Sequence, residues 1–307
     1  MTPPITVVVA TRNRGGSVAD TVETVLAGRY GRYEVWVVDQ SEDDRTSTSL
    51  RILMSDQRVR YLRTPTVGLA RAHNIAIARA TSELIAITDD DCEVPCDWLE
   101  KLATAFAADR RIGLVFGNVY PADHDPAAGF VPSYVREEPF LARSLREKDR
   151  VAGIGACMGL RRSVWQEIGG FDERLGAGTA FRAGNDGDLA VRVLLAGHFV
   201  YETPEVSVLH RGFRQWKEAR SLIWGYSYGT GAMLAKHAKC RTPYIPRLLV
   251  VLAFGWIRGR RSAGRFGDNR YRGLRLAAFL NGFAAGAVTS VDRAAGCYTP
   301  VHEGVPE

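Results

Sequence analysis

The first third of the chain alternates apolar runs with segments of helical period. Ile5–Ala10 is apolar except for Thr6, the pattern of a strand covered on both faces. Ser17 stands where an N-cap belongs, ahead of Val18, Val22 and Val25 on one helical face. Glu34–Asp39 reads as a second buried strand and Val59–Leu62 as a short third. Leu69, Ala72, Ile75 and Ala76 return at helical spacing, and Leu84–Thr88 is the next strand. Strands alternating with helices predict a parallel sheet with helices packed on its faces.

The second half is less regular. Gly113–Val119 and Ala152–Leu160 read as strands, and Arg162–Ile168 as a short helix. A glycine-rich loop, Gly169–Gly187, leads into a helix through Leu189, Val193 and Leu194. Tyr201–His210 is extended and ends in histidine. Trp216–Lys239 has a helical pattern, and one or two amphipathic helices follow as far as Ala287. The last ~15 residues read as a tail.

Composition narrows the class. A chain of 307 residues, 46% of them apolar, can bury the core of one large domain or of a domain with an appendage. The N-terminal Met1-Thr2-Pro3-Pro4 lacks the basic and apolar regions of a signal peptide. The longest apolar run, Leu248–Ile257, is shorter than the ~20 residues of a membrane span. The five cysteines, Cys92, Cys96, Cys157, Cys240 and Cys297, are odd in number and scattered. That pattern fits free thiols in a reducing compartment, so a cytoplasmic protein is expected. Cys92 and Cys96 lack the spacing of a zinc pair. Of the net charge of +6, the stretch from Arg241 to Arg275 carries +8, with nine arginines against Asp268 alone. The basic character therefore belongs to a C-terminal patch.

In open sheets of this kind, ligands bind beyond the carboxyl ends of the strands. Three polar groups fall there: Thr11-Arg12-Asn13-Arg14, Asp39, and Asp89-Asp90-Asp91. Three adjacent carboxylates repel one another, and a divalent cation, which prefers hard oxygen ligands, relieves that repulsion. Such an ion can bridge the phosphates of a nucleotide and take up the charge of a leaving diphosphate. Taken alone, the triplet also fits a solvated turn. A carboxylate at Asp39 can accept the ring N–H of uracil or thymine, or simply form a turn with Gln40-Ser41. Asp186 and Asp188 open the later helix, where the backbone dipole favours carboxylates and a general base is equally well placed. His210 faces the same sheet edge, although a lone histidine is more often a packing residue.

Together these segments resemble glycosyltransferase family 2. Val7-Val8-Val9-Ala10-Thr11-Arg12-Asn13-Arg14 resembles its opening strand and nucleotide loop, and Val37-Val38-Asp39-Gln40-Ser41 its second-strand motif. Gly68-Leu69-Ala70-Arg71-Ala72-His73-Asn74 resembles its Gly-x-x-x-Ala-Arg-Asn helix start, and Asp89-Asp90-Asp91 its Asp-x-Asp. Gly169-Gly170-Phe171-Asp172-Glu173 and Asn185-Asp186-Gly187-Asp188-Leu189 resemble its acceptor-side loop and base-bearing helix, with 95 positions from Asp91 to Asp186. Six motifs in order, over residues 5–211, are far more specific than any one of them.

The resemblance implies an α/β GT-A fold, the fold of nucleotide-diphospho-sugar transferases, with a mostly parallel sheet over residues 1–215. Residues 1–118 would form the nucleotide-sugar half and 119–215 the acceptor half, with 216–307 a helical extension. Thr11, Arg12, Asn13 and Asp39 would hold the nucleoside, and Arg71 would reach the base or the diphosphate. Asp89 and Asp90 would serve the nucleotide-sugar. Asp91, Asp89 and His210 would ligate a divalent metal, Mn2+ or Mg2+. Asp186 would be the base of an inverting transfer, and Phe171, Asp172 and Asp188 would meet the acceptor. The chain departs from the family pattern at His73, where Arg is usual, and at Asn185, where Glu is usual. The second change removes a charge beside the expected base.

The expected partners are a UDP-sugar, with dTDP-sugar second, and a hydroxyl acceptor in polysaccharide, glycolipid or glycoconjugate synthesis. An anionic membrane surface is a further expected partner, through residues 241–275, and a second copy of the chain stays open. That would put a cytoplasmic enzyme at the inner face of the plasma membrane. A sugar-1-phosphate nucleotidyltransferase would need a glycine-rich phosphate loop, which Thr11–Gly16 lacks. A dinucleotide oxidoreductase would need Gly-x-Gly-x-x-Gly after Ala10. Nucleic-acid binding through the arginine patch would leave the acid triplet unexplained, and no reader motif is present, so no nucleic-acid partner is expected.

Overall fold

The computed structural model describes residues 2–258 and 271–300, and the side chains of all of these except 252–258. Four strands, β1 (Ile5–Thr11), β2 (Tyr33–Asp39), β3 (Val59–Arg63) and β4 (Leu84–Asp89), lie parallel in the order β3-β2-β1-β4. The sheet continues through β9 (Cys157–Arg161), β6 (Ile112–Pro121), β10 (Phe199–His210) and β5 (Cys92–Glu93), with β8 (Phe140–Ala142) on the other side of β10. Strand β9 is antiparallel to both of its neighbours, whereas β10 runs parallel to β6. A small pair, β7 (Gly129–Phe130) with β11 (Arg214–Gln215), lies outside this sheet.

Alternation along β1 builds two cores. Val7 and Val9 face α1 (Ser17–Leu26) and α4 (Trp98–Ala107), where Val22, Trp98 and Leu102 are fully buried. Val8 faces the other layer, with α3 (Leu69–Arg79) and α6 (Asn185–Leu195). Side chains of period 2 on the strands thus meet helical faces of period 3.6 on both sides. The short helices α2 (Arg45–Leu50) and α5 (Arg162–Glu167) cover the ends.

A third core joins the extension to the acceptor half. Helices α7 (Ala219–Lys239), α8 (Ile245–Arg258) and α9 (Arg272–Val288) bury Met233, Leu234, Ile245 and Phe279 against Leu175 and Phe181. Leu248 and Leu249, from the apolar run of the basic stretch, pack there too. Residues 259–270 of that stretch lie outside the described residues. Helices α7 and α9 approach backbone to backbone: a methyl group on Gly282 would run into the carbonyl of Tyr228, and one on Gly231 into that of Phe279. Among the described residues, no helix is long and apolar enough to cross a membrane.

Three expectations are corrected. Ser17 is not the cap: Gly16 holds that position, and the Ser17 hydroxyl reaches only the Arg14 carbonyl at 3.5 Å. The strand expected from Ala152 begins at Cys157, because the N–H groups of Ala152 and Gly153 bond Glu202 and that of Gly155 bonds Asp186. The expected tail starts inside a hairpin, β12 (Val291–Asp292) with β13 (Cys297–Tyr298), which buries Tyr298.

Replacing Gly282 with Ala should lower stability by about 1–3 kcal/mol, as overpacking does. Gly273→Ala, whose added methyl meets no atom within 4 Å, is the control. Urea unfolding of the two variants checks this. Equal midpoints would contradict the close helix contact.

Candidate active site

Strand register gathers the acid triplet and its partners. Thr11 stands level with Asp39 across β1–β2, and Ala10 level with Asp89 across β1–β4. The β10–β5 pair sets His210 opposite Cys92, which brings its ring to Asp91. Asp90 accepts the Thr11 hydroxyl at 2.6 Å, so it turns toward β1. Asp91 takes the Arg14 guanidinium at 2.9 Å on one oxygen and His210 Nε2 at 3.1 Å on the other. Burial pushes Asp89 up to about 7, and the adjacent Asp91 adds to the effect. Asp91 itself is held low: burial opposes ionisation, but His210 and Arg14 outweigh it.

The site fits a divalent ion. His210 Nδ1 lies 2.7 Å from the Pro132 carbonyl, which can only accept, so Nδ1 carries a proton. In the neutral ring, Nε2 is then a lone pair facing a carboxylate oxygen. Two acceptors at 3.1 Å demand a proton or a cation between them. Burial opposes the proton, but Asp91 raises the His210 pKa. A Cβ at Gly212 would touch both His210 Nε2 and Asp91 Oδ2, so glycine keeps that space open. Cys92 lies within ligand reach of both, but burial and the neighbouring carboxylates keep its thiol protonated. Oxygen and imidazole ligands suit Mn2+ or Mg2+.

Asp186 sits in the first turn of α6, at the wall of a cavity of about 330 Å3. Burial lifts it to about 6, against a Gly155 N–H at 3.0 Å and the ammonium of Lys148, which both favour the anion. Asn185 donates to its other oxygen at 2.8 Å, so the amide that replaces the usual Glu serves Asp186 as a donor. The 152–155 loop is fixed from below by the buried Glu202, which accepts the N–H groups of Ala152 and Gly153 and pairs with Arg136.

The other expected acceptor residues lie behind this surface. Asp188 is fully buried and meets Lys236 Nζ at 2.5 Å, His237 Nε2 at 2.9 Å and Arg192 Nε at 2.9 Å. Asp172 meets the same Lys236 at 2.8 Å and accepts the Tyr298 N–H at 2.8 Å. Two carboxylates and two permanent cations therefore balance inside the protein, tying α6 to α7 and to the C-terminal hairpin. Phe171 is buried against the His73 ring. Burial pushes His73 down to about 4, so this departure from Arg leaves a neutral packing ring. Asn74 accepts the Phe171 N–H and donates to its carbonyl, while Arg71 pairs with Glu173 at 2.9 Å. The helix-start motif and the acceptor-loop motif thus hold each other in place.

Beyond the ends of β1 and β2, Arg12, Gln40, Ser41, Arg63 and Thr64 line a second cavity of about 490 Å3. Asn13, with φ 58°, donates its N–H to Ser41 and accepts from the Glu42 N–H, stapling the first loop to the second. Arg12 pairs with Glu42 at 3.0 Å. Asp39 lies beneath the cavity wall, with its oxygens taking the Ser41 N–H and the Tyr61 hydroxyl. Sequence reasoning missed Lys148, Gly155, Glu202, Lys236 and His237, because none stands in a motif and each acts through a contact distant in sequence.

A curled, mixed sheet with an acid triplet, a histidine and a carboxylate at one edge defines a glycosyltransferase of the GT-A fold. The model of glycosyl transferase family 2 matches residues 6–169, just over half of the chain, and the chain belongs to that family. Asp186 and His210 lie beyond the matched stretch. The chain is similar to the mannosyltransferase PcManGT of Pyrobaculum calidifontis, solved with GDP-Man and Mn2+. The TM-score is 0.60 at 22% identity, covering 96% of this chain and 78% of that one. It is 26% identical to the glucosyl-dolichyl phosphate glucuronosyltransferase of Haloferax volcanii, over 80% of this chain and 83% of that protein. It is 29% identical to the uncharacterized protein y4gI of Sinorhizobium fredii over 68% of this chain, which spans only 24% of that relative's length.

Replacing Lys236 with Met leaves Asp172 and Asp188 buried without their shared cation. The expected cost is about 3–5 kcal/mol, the range for a broken buried pair. Chemical unfolding with circular dichroism measures it. A loss below about 1 kcal/mol, the level of an exposed pair, would contradict the charge balance described.

Proposed function

We propose that the chain is an inverting hexosyltransferase. It moves a sugar from a nucleoside diphosphate, with UDP favoured and dTDP second, to an acceptor hydroxyl in polysaccharide, glycolipid or glycoconjugate synthesis. The observation that carries this reading is the pairing of two unlike carboxylate environments at one sheet edge. Asp91 is charged and asks for a cation with His210, while Asp186 is desolvated beside an open cavity. Separated pKa values of this kind mark acid–base roles.

Asp91 and His210, with Asp89 beside them, would hold Mn2+ or Mg2+, which when bound neutralises the charge on the leaving diphosphate. The solved relative with Mn2+ supports a metal. Its GDP-Man adds a purine nucleotide to the donors worth testing. For UDP speaks Asp39, whose oxygens each keep a second lone pair for an imide N–H. Arg12 and Asn13 shape the nucleoside cavity. Arg14, released from Asp91, has its guanidinium free for phosphate oxygens. Asp186 takes the proton of the acceptor hydroxyl as its oxygen attacks the anomeric carbon. The bond from that carbon to the diphosphate oxygen breaks on the opposite face, which inverts the centre. Gly155 and Asn185 fix the direction in which Asp186 accepts.

Calorimetry with UDP, dTDP and GDP, each with Mn2+, Mg2+ or EDTA, tests the donor half. UDP should bind only with metal, and Asp91→Asn should remove that binding; unchanged affinity in EDTA would end the metal reading. Asp186→Asn should cut kcat about 100-fold or more while donor affinity stays. The base works deprotonated, and burial has raised its pKa, so kcat/KM should climb with pH through about 6 and level off above. A profile flat from pH 5 to 8 would remove Asp186 from the role.

A further inference from the structure

The cavity at Asp186 has an unusual lining for a site that receives a hydroxyl. Helix α6 gives Val191, α7 gives Met233 and Leu234, and α8 gives Leu248 and Val251. Among the described residues, apart from Asp186, Lys148, Asp149 and Thr230 bring the polar side chains. Two of these are partly spent within the protein. The Thr230 hydroxyl donates to the Tyr226 carbonyl at 2.8 Å, and Lys148 donates to the Val151 carbonyl at 3.3 Å. Burial lowers the Lys148 pKa, as expected of a lysine beside apolar walls. A polyol filling such a space would leave most of its hydroxyls without partners, at a cost of about 1–3 kcal/mol for each buried unpaired group. A hydrocarbon loses nothing there and gains from every methylene buried. At about 330 Å3 the cavity is within the size range of ligand pockets, which are mostly apolar with a few oriented polar groups.

We propose that this cavity receives the apolar aglycone of the acceptor: an alkyl or aryl group carried close to the hydroxyl that faces Asp186. The assignment rests on Asp186 as the base of the proposed transfer. It gives α7 and α8 a task, since they supply the apolar wall that the catalytic sheet lacks. Acceptor choice then lies in the extension, while the nucleoside and metal side lies on β1, β2 and β4.

The test uses hexyl β-D-glucopyranoside and methyl β-D-glucopyranoside, titrated by calorimetry into the full chain with UDP and Mn2+ present. Each buried methylene is worth about 0.8 kcal/mol, so the hexyl glucoside should bind at least about tenfold more tightly. Thr230→Trp fills the space and should bring the two affinities together. Val251→Trp is the second variant, read in place of the first if that one loses nucleotide binding. Equal affinities in the wild type, binding of neither glycoside, or a preference unchanged in the variants would each overturn the assignment. If nucleotide binding with Mn2+ persists in the wild type while the preference fails, only this inference falls. If the wild type binds no nucleotide, the proposed function falls with it.

Discussion

Three carboxylates in succession at the end of β4 are held together by positive charge and hydrogen-bond donors that reach them from β1, the loop after it and β10. Two like charges 4 Å apart repel by about 4 kcal/mol at the effective dielectric of a protein surface, a large share of a domain's net stability. The protein spreads the three apart by partner. Asp90 turns to the Thr11 hydroxyl, Asp91 is shared by Arg14 and His210, and Asp89 is left with its pKa raised to about 7. The arrangement requires β1 beside β4 and β10 across from β5, so the strand order and the acid triplet depend on each other. A divalent ion would relieve the same repulsion in one step.

The second organising feature is the buried charge balance behind α6. Asp172 and Asp188 share Lys236, and Arg192 and His237 complete the set. Its consequence lies two residues along the helix, where Asp186 keeps its place at the cavity wall. The third core and the glycine-mediated contact of α7 with α9 hold Lys236 in position. The C-terminal hairpin closes the system through the Tyr298 N–H. The extension is therefore continuous in packing with the loop ahead of α6, and α6 depends on it.

Much of the sheet was legible because β1, β2 and β4 are buried on both faces and read as apolar runs ending in polar clusters. The triplet, Asp186 and His210 were legible because they end or begin regular elements. The strand expected at Ala152 failed because its backbone donors serve Glu202 and Asp186, and periodicity carries no trace of that. The family motifs imply acceptor roles for Phe171, Asp172 and Asp188, and the structure buries all three. The partners of Asp172 and Asp188, Lys236 and His237, lie 48 or more positions away and stand in no motif of their own. Leu248 and Leu249, in the apolar run of the basic stretch, pack in the third core, which only the third dimension discloses.

The central claim is that one divalent ion sits between Asp91 and His210 and displaces Arg14. Crystals grown with UDP and Mn2+, measured at the manganese absorption edge, test it directly. The account predicts an anomalous peak within about 2.0–2.4 Å of an Asp91 oxygen and of His210 Nε2, with the Arg14 guanidinium moved off Asp91. An Arg14–Asp91 pair still closed in the nucleotide complex, with manganese elsewhere or absent, would contradict it.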